Sequence, residues 1–290
     1  MGNHALDGLI ARAASLFGLC LWLASLLRAR WIGEPARSSR RVLVTAFTLG
    51  AVGALIQLNA YVLSLADLGY AEASVWRPEL AEFGRWLGPA LQETQFGLWW
   101  CAHVATLVVV LLLTLRPRAS ARLTVFVAVG WILTFVRLGH AAGYPLVSVG
   151  FVIQLVHTVA VVGWLSGLLG LATHVLDESP PLPVASLRRF AHGMLVAMVV
   201  IVGTGVARLA GLLDAALTPW RESLYLWLIA AKLSLVALVL VAAALARRRV
   251  FGSQADTLPA AALKHVLTLE VLTASLVLFL STLLSQVTPP

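Results

Sequence analysis

The sequence predicts an all-α, polytopic membrane helix bundle of about eight transmembrane helices, with both termini on the outer, periplasmic side. Composition is the first observation behind this. Of 290 residues, 60% are hydrophobic and only 12% charged, with mean hydropathy +0.91, whereas soluble domains carry roughly 25% charged residues. The second is a series of eight apolar stretches near the length that crosses hydrocarbon, about 20 residues. The third is the placement of the basic residues. A net charge of +8 on a soluble chain would suggest nucleic acid. Here the positive residues lie between apolar runs, where they set orientation in a membrane, so nucleic acid is not an expected partner.

The stretches fall at approximately 5–27, 42–65, 96–115, 123–139, 150–173, 190–213, 224–246 and 265–286. The first contains Arg12 near its start, from where a long side chain can reach the interface. The fourth is short. The fifth carries Gly163, Gly167 and Gly170 in a stripe, the small-residue spacing that lets membrane helices pack closely. The connections 28–41, 116–122, 177–189 and 247–264 hold five, three, two and four Lys/Arg. The alternate connections hold Arg77, Arg85 and Arg221 against seven acidic residues. Cytoplasmic loops carry the basic excess, which puts both termini outside. Met1 to Gly8 contains Asp7 and no Lys or Arg, so it does not read as a cleavable leader.

The chain therefore divides into two four-helix halves, 1–149 and 150–290, the first bearing a long periplasmic loop at 66–95. In that loop Arg77-Pro78-Glu79 precedes Leu80, Phe83, Trp86, Leu87 and Leu91. Apolar residues three and four apart after a proline predict a short amphipathic helix on the membrane surface, either a lid or a packing element over helix ends. The run Asp177 to Pro183 is polar and proline-rich and cannot continue a helix.

Ionisable residues inside such spans are costly and commonly mark an ion, proton or cofactor path. Counting 1.5 Å per residue from the outer ends, His103 and His157 lie roughly 10 Å deep and Lys232 roughly 12 Å. His140 ends the fourth span at the outer interface. Arg137, Arg208, Gln57, Asn59 and Gln154 fall in the same outer halves, which together predict a polar vestibule opening outward. Imidazole is the commonest metal ligand, so His103, His140 and His157 are candidate metal residues. His157 shares a helix face with Val161, Trp164 and Leu168, and a core role for it stays open.

The inner half offers Glu270, His174, His192, Lys264 and His265, with Met194 and Met198 one turn apart. The methionine pair reads either as core packing or as a soft-metal exit site suited to Cu(I). Cys20 and Cys101 lie at different depths and are not expected to form a disulfide. If Met1 is removed, His4 becomes the third residue of a free amino terminus, and amine, two backbone nitrogens and imidazole suit Cu(II). Two histidines at one depth on facing helices would also serve a b-type haem. No G-x4-G-K-[ST] phosphate cradle is present, so transport would be passive or ion-coupled.

Several stretches of the second half resemble one family when read in order. They are His157-x6-Trp164-x2-Gly167, Arg188-Arg189-Phe190, Gly203-Thr204-Gly205-Val206, Leu224-Tyr225-Leu226-Trp227-Leu228 leading to Lys232-Leu233, then Glu270 and a terminal Pro289-Pro290. Their order and spacing over roughly 150–290 resemble the copper resistance D (CopD) domain. Gly139-His140-Ala141-Ala142 is similar to the stretch preceding that domain in full-length members. The resemblance implies an inner-membrane protein that takes copper from the periplasm, often from a CopC-type copper-binding partner, and moves it inward. It implies functional positions at His140, His157, Lys232 and Glu270; His103 is added on depth alone. Only three methionines occur, which favours imidazole ligation over thioether capture. The expected class is a non-enzymatic copper transporter of the plasma membrane. The alternatives are a b-type haem electron carrier and a non-transporting membrane scaffold for a periplasmic copper chaperone.

Overall fold

A computed structural model of the chain describes residues 5–32, 40–69, 80–115, 121–139, 145–176, 181–213, 224–259 and 261–284. Nine helices account for nearly all of them: α1 Ala5–Ile32, α2 Arg40–Gly69, α3 Leu80–Gln92, α4 Gln95–Leu115, α5 Ala121–Arg137, α6 Val149–Leu176, α7 Val184–Leu213, α8 Leu224–Gly252 and α9 Ala261–Leu284. Hydrocarbon offers the backbone no hydrogen-bond partner, so an apolar run this long satisfies its own amides by coiling. Seven of these helices are long and apolar enough to cross a membrane, and the chain is an all-α, multi-pass membrane protein. The fourth predicted span is α5, which has 17 residues and sits at the lower limit of spanning length.

The helices outrun the apolar runs that announced them. α1 continues through Arg28 to Ile32, α8 through Arg247–Arg249 to Gly252, and α7 begins six residues before Phe190. Hydropathy marks only the stretch that prefers lipid. The hydrogen-bonded ladder has no reason to stop where the apolar run does. Two helix starts are capped by hydroxyls. The Gly97 amide donates to Thr94 Oγ1 at 3.0 Å, and the Phe151 amide donates to Ser148 Oγ at 3.2 Å, each satisfying one orphan donor of the first turn.

The chain forms two compact units, one comprising residues 1–19 and 47–155, the other 20–46 and 156–290. In the first unit α3 is the amphipathic helix that the 66–95 loop predicted. Its Phe83, Trp86, Leu87 and Leu91 pack with Leu58, Val62, Tyr61 and Leu65 of α2 and with Phe96 and Trp100 of α4. Tyr61 stacks on Phe96 with ring centroids 3.8 Å apart. The helix thus covers the adjoining ends of α2 and α4, as a packing element does. Pro78 lies outside the described residues. Glycines let the helices of this unit approach closely. A Cβ at Gly53 would fall 2.6 Å from the Ala11 carbonyl of α1, and one at Gly50 would fall 2.8 Å from the buried Trp131 ring of α5. Trp100 Nε1 donates to the Ala54 carbonyl at 2.8 Å, tying α4 to α2.

In the second unit Gly170 of α6 faces the Ala24 carbonyl of α1, and Gly167 faces Met194 and Phe190 of α7. Two of the three glycines of the predicted stripe are therefore packing positions, whereas Gly163 has open space where a Cβ would sit. A two-residue antiparallel ribbon pairs Leu182 with Leu258 and Pro183 with Thr257, as β1 (Leu182–Pro183) and β2 (Thr257–Leu258). It joins the connection before α7 to the one after α8.

Candidate functional site

His103 projects from α4 into the core of the first unit and is 1% exposed. Both of its ring nitrogens are engaged. Nδ1 lies 2.9 Å from Thr134 Oγ1 of α5, and Nε2 lies 3.4 Å from Ser15 Oγ of α1. The proton positions follow by counting donors. Thr134 spends its hydroxyl hydrogen on the Trp131 carbonyl at 3.0 Å, so its oxygen accepts from His103 Nδ1–H. Nε2 then carries the lone pair and accepts from the Ser15 hydroxyl. Trp131 packs edge-on at 6.3 Å between ring centroids. A metal at His103 would have to displace Ser15 from Nε2. His103→Leu is expected to cost about 1–3 kcal/mol, because the Ser15 hydroxyl then keeps no partner at this buried position. Thermal unfolding in detergent measures the loss. His103→Gln, which retains a donor and an acceptor, should recover part of it.

His157, in the second unit, is arranged differently. Its Nδ1 lies 2.8 Å from Thr204 Oγ1 of α7. Thr204 donates to the Val200 carbonyl at 2.6 Å, with the Ile201 carbonyl at 3.2 Å. Its only hydrogen is thereby committed to its own helix, a habit of mid-helix threonines. The Thr204 oxygen must accept, so His157 bears its proton on Nδ1 and presents an unprotonated Nε2. No hydrogen bond to Nε2 occurs among the described residues. Half-buried His157 is thus set in the tautomer a ligand needs, with a hydroxyl behind it fixing the ring as partners behind metal-bound imidazoles do. Arg208 of α7 and Lys232 of α8 are the charged groups that act on it. Gly205 beside Thr204 faces the ring, where a Cβ would make ordinary contact with His157 Cε1 at 3.9 Å.

The other predicted residues distribute as follows. Lys232 is half-buried on α8. Glu270 on α9 is 7% exposed, and its carboxyl makes no hydrogen bond or ion pair among the described residues. Measured from the connection between α8 and α9, the two lie 20 and nine residues along their helices, about 16 Å apart in depth. Met194 rests its thioether on Gly167, and Met198 is 7% exposed, which is the geometry of core packing. His174 is buried at 1% exposure, whereas His192 and His265 are exposed. Cys20 is buried and Cys101 exposed, both unbridged. His4 and His140 lie outside the described residues. Among the described residues, no three His, Cys, Asp or Glu side chains converge on one point.

Side chains other than the candidate ligands carry much of the polar organisation. Thr204 was visible only as part of a Gly-Thr-Gly run, and Ser15 and Thr134 gave no signal. Near the end of α5, Arg12 Nη1 and Gln57 Nε2 both donate to the Leu138 carbonyl, at 3.3 Å and 2.9 Å. Arg12 also lies 5.0 Å from the Phe135 ring centroid and directly against Gly139. Arg137 lies 5.1 Å from the Trp99 ring and 5.7 Å from Phe151. The two arginines therefore point into protein rather than away from it. The sequence hint was their presence inside apolar runs, where a cation needs a partner.

Residues 8–145, a little under half of the chain, match the family model described as "Copper resistance protein D-like, N-terminal domain". The match falls on the half that did not carry the ordered motifs of 150–290, and it names the same family. No curated protein and no solved structure matches the chain.

Proposed function

The chain is a member of the copper resistance protein D family through its N-terminal domain, and from that premise we propose that it carries copper across the plasma membrane. In this reading copper is the cargo, taken on the periplasmic side and passed toward the cytoplasm. α5 counts as an eighth span, which keeps the basic connections on one side and both termini on the other. His157 is the ligand supported best, because Thr204 leaves its Nε2 unprotonated and directed away from its hydrogen-bonded edge. His140 is a second candidate on the family stretch Gly139-His140-Ala141-Ala142, and His103 in its own unit could take a metal only if Ser15 gave way. His4 contributes a Cu(II) site if the amino terminus is free. A CopC-type periplasmic protein is the expected donor.

Lys232 and Glu270 divide the path by depth. Lys232 and Arg208 direct positive charge toward His157, which opposes a bare cation resting there, and Lys232 equally suits a structural anchor. Glu270, a buried carboxyl with no described partner, offers the ion or a proton its next oxygen. Met194 and Met198 serve packing, since the Met194 thioether fills the space that Gly167 leaves.

Copper uptake into proteoliposomes tests the reading. Wild-type protein should accumulate copper, and both His157→Ala and His140→Ala should reduce uptake at least tenfold. Uptake by both variants at the wild-type rate would remove the site assignment. A wild-type protein that binds copper but moves none would leave it a membrane scaffold for its periplasmic partner.

A further inference from the structure

The ends of α7 and α8 beside the β1–β2 ribbon carry a cluster that copper handling does not use. The Arg247 guanidinium lies 4.8 Å from the Phe251 ring centroid and the Arg188 guanidinium 5.8 Å from the same centroid. His192 meets that ring edge-on at 5.3 Å. One aromatic ring thus gathers two permanent cations and an imidazole. The ribbon causes the convergence. Pairing of Leu182 with Leu258, together with the bond from the Val184 amide to the Asp256 carbonyl at 2.9 Å, holds the start of α7 against the end of α8. Arg188 Nη2 completes the tie by donating to the Ser253 carbonyl at 3.2 Å.

The hydrogen bonds of this cluster go to neutral oxygens. Arg188 donates to the Ser253 carbonyl, Arg249 to the Ala262 carbonyl and Arg189 to the Ser186 hydroxyl. Arg247 Nη1 is buried and has no hydrogen-bond partner among the described residues. A buried donor on a charged group is costly to leave unmade and calls for an acceptor. Asp256 is close in the backbone, and its side chain is exposed. An acceptor with several oxygens and negative charge fits two guanidinium groups best. Exposed apolar side chains adjoin the cluster on the membrane side, with Leu195 of α7 at 48% and Leu245 of α8 at 47% exposure. A phosphate with acyl chains below it matches both features, as basic pockets at helix ends hold anionic headgroups.

We infer that Arg247 and Arg188, gathered on Phe251, form a phosphate site that takes the headgroup of an anionic phospholipid. The site is independent of copper and of the direction in which copper moves. The full chain, reconstituted in nanodiscs of phosphatidylcholine with phosphatidylglycerol and then released into detergent, is weighed by native mass spectrometry. Wild-type protein should retain phosphatidylglycerol in preference to phosphatidylcholine. Arg247→Gln and Arg188→Gln should each weaken that retention about fivefold, while Arg122→Gln, an exposed arginine of the first unit, should not. Arg188 is exposed, so its variant tests the site even where the Arg247 variant fails to fold. Equal retention of the two lipids by the wild type, or equal loss in the Arg122→Gln variant, would overturn the inference. Inorganic phosphate at millimolar concentration should fail to displace the lipid; full displacement would assign the site to a free phosphate and overturn the lipid assignment.

Discussion

Thr204→Val is expected to lower the copper affinity of the purified protein about ten- to a hundredfold, the usual cost of losing the partner behind a metal-bound imidazole. Valine keeps the shape of threonine and removes only the hydroxyl. The His157 ring then loses the acceptor on Nδ1, which lies 2.8 Å away in the native arrangement. The Ile201 carbonyl is then the backbone acceptor left to the ring, so its tautomer and plane are less firmly fixed. Helicity and membrane insertion should not change, because the Val200 and Ile201 carbonyls that accept from Thr204 are already part of the α7 backbone ladder. Thr204→Ser should keep most of the affinity. Competition against a chromophoric copper chelator in detergent reads the difference. An affinity equal to wild type in the valine variant would mean that His157 is a packed core residue and not a ligand.

The largest structural effect should come from Gly97→Val, with a loss of about 3 kcal/mol or more in stability. Gly97 opens α4 directly against the end of α3. A Cβ there would strike the Ala90 and Leu91 carbonyls and the Leu91 Cα. These are backbone atoms, and no rotamer change can move them aside. The corner would have to open, pulling Trp86, Leu87 and Leu91 off α2 and breaking the cap from the Gly97 amide to Thr94. Gly84 in α3 has open space around its Cα, so Gly84→Val should change stability by less than about 1 kcal/mol. Thermal unfolding of both variants in the same detergent makes the comparison. Equal melting temperatures would deny the close approach at Gly97.

Much of the architecture was legible in advance, and the reason is local. A run of about 20 apolar residues in lipid has one way to satisfy its backbone, so the positions of the long helices follow from hydropathy alone. The amphipathic spacing of Phe83, Trp86, Leu87 and Leu91 likewise announced α3 and the face it buries. Hydropathy missed the extensions of α1, α7 and α8 past the apolar runs. It also missed the β1–β2 ribbon, which pairs two segments more than seventy residues apart in sequence.

The sequence by itself determined how far along each long helix a residue lies, because position along a straight helix is a matter of counting. Counting puts His103 and His157 each roughly 10 Å from the expected outer end of its own span. It could not determine what each meets there, because that depends on how every helix is rotated and which neighbour it packs against. Ser15 stands 88 residues from His103, and Thr204 stands 47 from His157. Only packing brings these pairs together, and the two outcomes differ. His103 has a hydroxyl at each nitrogen and is held as core. His157 has a hydroxyl at one nitrogen only, and that hydroxyl has already spent its hydrogen on its own helix. The second nitrogen is therefore left with its lone pair and no hydrogen-bond partner among the described residues.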